Sequence, residues 1–216
     1  MNKAGQGDLA ADRAEALRLT PVSRETQQRL ETFVALLLQW QQKTNLISPA
    51  TIPNLWTRHV ADSLQLIDLA PNAKIWVDFG AGGGFPAIAV ACALAERPGA
   101  QVHLVESNGK KAAFLREAIR ATGVPAVVHQ KRIEDCGDGF GDKVDVVSAR
   151  ALAPLTMLCA YVAPFIAQGA VGFFLKGQDI DAELTEATKY WNIRYEVVPS
   201  KTGDGVVLKV RRLERR

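Results

Sequence analysis

Residues 76–90, WVDFGAGGGFPAIAV, constrain the fold more than any other part of the chain. They run apolar, then acidic, then glycine-rich, then apolar again. That is the order of a strand, a tight turn and a helix built to hold a nucleotide. Asp78 closes the first apolar run, and Gly80, Gly82 and Gly84 follow at alternate positions. A dinucleotide site needs G-x-G-x-x-G, whose last glycine lets the helix pack beside a pyrophosphate. Counted from Gly80 that position is Phe85, so the spacing fails for NAD.

The same spacing matches the D-x-G-x-G-x-G run of S-adenosylmethionine sites. The chemistry agrees, because this cofactor carries no phosphate and the turn need not cradle an anion. Its methionine end bears an ammonium and a sulfonium, for which Asp78 supplies opposite charge. Gly80 and Gly82 remove side chains so that backbone can approach the methionine and ribose. The next strand ends at Glu106 in HLVES, where Rossmann-type sites place a carboxylate that accepts from the ribose hydroxyls.

The rest of the chain reads as strand–helix alternation after Pro71. Strands are expected at 74–79, 101–106, 126–129, 144–148, 170–175, 194–198 and 206–210. Helices are expected near 85–96, 108–121, 154–167 and 179–191. Such alternation implies a mainly parallel sheet covered on both faces. The last two strands follow without a helix, joined by SKTGDG, which predicts an antiparallel hairpin at one edge. The fold class is thus α/β, a Rossmann-like methyltransferase architecture. Before it lies a helical extension, residues 1–72, expected to join the core, residues 73–216, in one compact unit. A helix from Ser23 places Leu30, Phe33, Val34, Leu37 and Leu38 on one stripe. A second is expected over 54–69, and the run DLAADRAEALRL before both is a helix free to fray.

Composition excludes several classes. The apolar run QRLETFVALLLQW is interrupted by Glu31 and Thr32 and is too short to cross a bilayer. MNKAGQG has no apolar signal region, so a cytoplasmic location and no membrane are expected. Cys92, Cys136 and Cys159 are odd in number and far apart, and read as free thiols. His59, His103 and His129 show no ligand spacing, so no metal is expected. Net charge is only +3, but Lys110-Lys111, Lys131-Arg132 and the tail KVRRLERR are locally basic.

The acceptor is narrowed by what is missing. Methylation of an exocyclic amine usually employs [DNS]-P-P-[YF] after the fourth strand, where this chain reads SARALAP. Carbon-five methylation of pyrimidines needs a Cys nucleophile, typically after Pro, and the cysteines stand in ACAL, DCGD and LCAY. A ring nitrogen with a free lone pair fits, and it needs no general base.

NLIS, WTRHVADSL, VDFGAGGGFPAIAVA, LVESNGKKAAFLREA, SARALAPL and FFLKG occur in an order and spacing that resemble one group. It is the bacterial 16S ribosomal RNA guanine-N7 methyltransferase G family, also called glucose-inhibited division protein B. The resemblance covers roughly residues 24–210. It implies methylation of guanine 527 of 16S ribosomal RNA at N7, with S-adenosylmethionine becoming S-adenosylhomocysteine. The partner would be 16S RNA or the small ribosomal subunit, with a monomer favoured. The family's cofactor contacts fall on Gly80, Phe85, the pair Ile133-Glu134 beside the adenine, and Arg150. The loop departs from the family at Gly83 and Ala87, which is expected to weaken cofactor affinity without blocking it. The resemblance also makes Arg58, His59, Asp62 and Ser63 a wall of the methyl-transfer cleft. Arg58, His59 and Lys176 are the substrate-binding candidates, Lys176 on RNA phosphate unless it caps its strand. Two rival readings remain on the same fold: a small-molecule methyltransferase, and a catalytically silent S-adenosylmethionine-binding regulator.

Overall fold

Apolar runs of five or six residues buried on both faces make the centre of the sheet. They are β1 (Ile75–Phe79), β2 (Gln101–Val105), β4 (Val146–Arg150) and β5 (Val171–Lys176) in the computed structural model, which describes residues 3–137, 140–141, 143–203 and 205–216, with side chains from residue 9. With β3 (Ala126–His129), β6 (Trp191–Pro199) and β7 (Val206–Arg215) they form one sheet, ordered β3-β2-β1-β4-β5-β7-β6. Strands β1 to β5 pair in parallel, and β7 pairs antiparallel with both β5 and β6. The order reverses between β1 and β4. An open sheet leaves a crevice there, above the carboxyl ends of the strands, and ligands bind in it.

The helices cover two faces. On one, α2 (Arg24–Gln41), α3 (Asp62–Leu69), α4 (Ala87–Leu94) and α5 (Gly109–Thr122) bury Phe33, Leu64, Ile88 and Phe114 in one cluster. On the other, α6 (Leu155–Ala167) and α7 (Ile180–Ala187) bury Phe165 and Leu184 against Phe79 and Phe174. The starts of the helices are chemically marked. Ser23 caps α2 by accepting from Thr26 N at 3.1 Å, and Asn108 Oδ1 caps α5 by accepting from Lys110 N and Lys111 N.

The N-terminal segment is held by tertiary contact. Helix α1 (Lys3–Leu19) buries Ala16, and Asp12 accepts from Trp56 N at 2.6 Å and from the Thr57 hydroxyl at 2.6 Å. The helix expected over 54–69 is two pieces, a π-helix (Trp56–Ala61) and α3, preceded by a 3-10 turn (Pro49–Asn54). A π-turn adds a residue per turn and re-aims its side chains, and such turns gather at functional sites. Here it carries Arg58 and His59.

Two boundaries move. The helix expected to reach Trp191 stops at Ala187, because the β-rich run WNIRYEVVP pairs along its whole length with β7. The basic tail is therefore strand, as far as Arg215. Strand β4 extends to Arg150, which makes that arginine the strand's last residue. Asp204 of the SKTGDG turn lies outside the described residues. Among them no helix is long and apolar enough to cross a membrane, no His/Cys/Asp/Glu group could hold a metal, and Cys92, Cys136 and Cys159 are free and buried.

Candidate functional site

Three adjoining cavities open above β1 and β4, and Ala151 lines all of them. Ala151 has φ 49°, a left-handed backbone that costs a residue with a Cβ about 1–3 kcal/mol. The chain turns there directly after Arg150, so SARAL crosses the floor of the cleft. The first cavity, about 650 Å³, is walled by Arg58, Asp62, Arg150, Pro154, Lys176 and Glu183. The second, about 380 Å³, is walled by Gly80, Gly82, Glu106, Ile133, Glu134 and residues of α6, Met157 and Tyr161. The third, about 360 Å³, lies between Leu46, Ile47, Thr51 and His59 on one side and Gly82, Gly83 and Phe85 on the other.

The glycine loop is fitted tightly to its neighbours. Gly80 N and Ala81 N donate to Val105 O at 2.9 and 3.0 Å, which fastens the turn to the end of β2. A Cβ on Gly83 would stand 2.7 Å from Leu46 O, so only glycine lets the 46–47 segment close over the loop. Gly82, at φ 49°, has little above it but the cavity.

Glu106 is buried at the end of β2, and its two carboxylate oxygens accept from Gly82 N at 2.9 Å and from Asn108 N at 2.7 Å. A carboxylate offers about four acceptor positions, so two remain for donors in the second cavity. Paired ribose hydroxyls are such donors. Glu106→Ala removes both charge-assisted contacts and the tie to the loop. We expect S-adenosylmethionine to bind about tenfold to a hundredfold more weakly, a loss of about 1.5–3 kcal/mol. Unchanged affinity in calorimetry would make Glu106 a loop brace only.

Asp78, expected to supply charge opposite to the cofactor's methionine end, sits below the cleft. It is 1% exposed, lines none of the three cavities, and accepts from Ser148 Oγ at 2.7 Å through Oδ1. Its Oδ2 is sealed with no partner among the described residues. Burial pushes its pKa up to about 7, against the Ser148 hydrogen bond and the Arg150 charge. Asp78 therefore lies beneath the loop, where any influence on a ligand is through its charge and not by contact.

The remaining predicted residues divide between the cavities. Ile133 and Glu134 stand together in a 3-10 turn (Ile133–Cys136), and Glu134 accepts from Tyr161 Oη at 2.9 Å. Arg150 reaches both the first and third cavities, and its Nη2 donates to Arg58 O at 2.9 Å. Arg58 and Lys176 face the first cavity, with Lys176 Nζ donating to Glu183 Oε2 at 2.7 Å and to Ala153 O at 3.2 Å. His59 faces the third cavity instead, stacked on Phe85 with ring centroids 5.0 Å apart. Burial, then the charges of Arg150 and Arg58, lower its pKa to about 3. The ring is neutral at any ordinary pH.

Sequence reasoning did not single out Ala151, Thr51, Lys111, Met157 or Tyr161, which complete these walls. Lys111 was visible only as half of a basic pair. Met157 and Tyr161 were signalled by nothing but their helix, which follows β4.

The cleft fits S-adenosylmethionine: a carboxylate with acceptor positions to spare, a loop without side chains, and a buried carboxyl with an orphaned oxygen under it. The comparisons bear on the same point. Residues 26–204 match the model of a family described as rRNA small subunit methyltransferase G. A protein named ribosomal RNA small subunit methyltransferase G from Bradyrhizobium sp. strain BTAi1 is 61% identical over 208 residues, 96% of this chain and 94% of that one. Another of that name, from Rhodopseudomonas palustris strain BisB18, is 64% identical over 196 residues, 91% of this chain and 84% of that one. Among solved structures, an O-methyltransferase from Bacillus cereus in complex with SAH aligns at TM-score 0.60 with 15% identity, covering 93% and 96% of the two chains. A putative O-methyltransferase from Klebsiella pneumoniae aligns at 0.56 with 15% identity, covering 94% and 96%. At such identities these two share the fold.

Proposed function

The chain belongs to the rRNA small subunit methyltransferase G family, and on that premise we propose that it methylates N7 of a guanine in 16S ribosomal RNA, the guanine at position 527 by resemblance, with S-adenosylmethionine as donor. The observation that carries this reading is the meeting of three cavities at Ala151: two flank the glycine loop, and the third is lined with guanidinium groups. The cavity of Glu106 and Ile133 suits an adenosine. That of Phe85 and Thr51 suits the methionine end. The larger one, walled by Arg58 and Arg150, suits a purine and its phosphate.

S-adenosylmethionine, when bound, supplies an electrophilic methyl on a sulfonium. The protein's share is placement. Glu106 holds the ribose, Ile133 and Met157 enclose the adenine, and Phe85 backs the methionine end. Arg58 and Arg150 position the RNA. Lys176, already paired with Glu183, brings less free charge than a bare lysine would. Guanine N7 presents a bare acceptor with no proton to remove, so a general base has no task. His59, at a pKa of about 3, is a poor one in any case.

Mapping 7-methylguanosine in the small-subunit RNA of a strain lacking this protein tests the reading. The mark should be missing there and return with the gene. An unchanged map would favour a small-molecule methyltransferase or a silent binder. The pH dependence separates placement from proton transfer. Single-turnover rate at saturating cofactor and RNA should stay nearly flat between about pH 6.5 and 8.5. Cofactor affinity should not, because Asp78, with its pKa at about 7, attracts the cationic end only as a carboxylate. Affinity should weaken as pH falls through that value. A saturated rate rising steeply through the range, and flat in His59→Gln, would mean proton transfer by His59.

A further inference from the structure

The methionine end of the cofactor carries an ammonium, and the residue expected to meet it, Asp78, is sealed beneath the loop. Another acceptor is needed in the third cavity. Its two side-chain cations, Lys111 and Arg150, suit the carboxylate and repel the ammonium. The hydrogen bonds around His59 supply a neutral acceptor. Thr51 Oγ1 lies 2.8 Å from Ser48 O and 2.8 Å from His59 Nε2. A carbonyl oxygen cannot donate, so the single hydroxyl proton of Thr51 goes to Ser48 O. Nε2 must then carry the imidazole proton and donate it to Thr51. That leaves Nδ1 with a lone pair. Nδ1 makes no hydrogen bond among the described residues, and the ring that carries it lines the third cavity.

We propose that His59, its tautomer fixed by Thr51, accepts a hydrogen bond at Nδ1 from the α-ammonium of the bound cofactor. The assignment rests on the cofactor reading above. Of the groups at the methionine end only the ammonium has N–H to give; the carboxylate and sulfonium have none. Stacking on Phe85 holds the ring against rotation. The buried, cation-flanked setting keeps the imidazole unprotonated, so the lone pair stays available. Thr51 is thus a positioning residue, acting through His59.

Calorimetry with two ligands isolates the contact: S-adenosylhomocysteine, which has the amino-acid end, and 5′-methylthioadenosine, which lacks it. His59→Gln can still reach Thr51 with its amide nitrogen but presents nothing at the Nδ1 position. It should bind S-adenosylhomocysteine about tenfold more weakly, with methylthioadenosine unchanged. His59→Asn, whose side-chain oxygen falls near Nδ1, should recover most of that loss. Thr51→Val should lose part of the selectivity, and Thr51→Ser should restore it. Equal losses on both ligands in His59→Gln would mean that the ring only shapes the pocket, and no loss on either would mean no contact. Both outcomes overturn the assignment while leaving the cofactor reading intact. Failure of the wild-type protein to bind S-adenosylhomocysteine at all would overturn the cofactor reading, and the assignment with it.

Discussion

Gly80→Val should abolish cofactor binding and leave the fold in place. Gly80 sits at φ 71°, where a β-branched residue is a strong outlier, costing about 1–3 kcal/mol. A Cβ there would lie 2.5 Å from Leu152 Cδ1. That leucine end can shift, but it lines both the first and second cavities, so its displacement narrows the cleft. The valine methyls occupy the rest of the space that the backbone needs to approach a ligand. The sheet beneath is untouched, because β1 is paired on both sides along its length. Calorimetry should show no binding of S-adenosylmethionine, while circular dichroism stays that of the parent and the melting temperature falls by only a few degrees. Retained binding would mean that the ligand does not lie over this loop, and the placement of every cavity role would go with it.

How much of this was legible in the chain depends on whether the cause was local. The glycine loop, the strand that leads to Glu106 and the closing hairpin are set by residues adjacent in sequence, and their reading stands in the fold. The π-helix was not legible. It is held by Asp12, more than forty positions earlier, whose carboxylate takes Trp56 N and Thr57 N. No periodicity within residues 54–69 reports a partner from another helix. The expected charge of Asp78 shows the same limit from the other side. Its place at the end of β1 was read correctly, but the pleat turns its carboxylate inward, onto Ser148 of the neighbouring strand. Sequence spacing gives which residue ends a strand, and pairing decides which way its side chain faces. Lys176 was an ammonium at a strand end in the sequence; the fold supplies Glu183 from α7 to hold it. Gly83 looked like slack in the loop, and the close approach of Leu46 explains why a glycine stands there.

Arg150→Met should be among the most destabilising single changes near the cleft, and its pH dependence should identify the cause. The guanidinium lies close enough to Asp62 and Asp78 to oppose the rise that burial imposes on both carboxyls. Its Nη2 also satisfies Arg58 O, tying the π-helix to the end of β4. Methionine fills similar volume but leaves two poorly solvated carboxylates with less opposing charge. Losing a charge-assisted hydrogen bond costs about 1.5–3 kcal/mol. In a chain of this size that is a fall of roughly 3–12 °C in melting temperature. Both carboxyls already have folded pKa values above the unfolded reference, and the substitution raises them further. Protonation then relieves the folded state at low pH, so the deficit relative to wild type should grow as pH rises from about 5 to 8. Arg150→Lys should recover part of the charge effect but not the planar hydrogen bond to Arg58 O. A deficit of the same size at every pH would sink the electrostatic account and leave Arg150 as packing. With the predicted slope, the residue that lines the first cavity is also the one that opposes the rise that burial imposes on the carboxyl under the glycine loop.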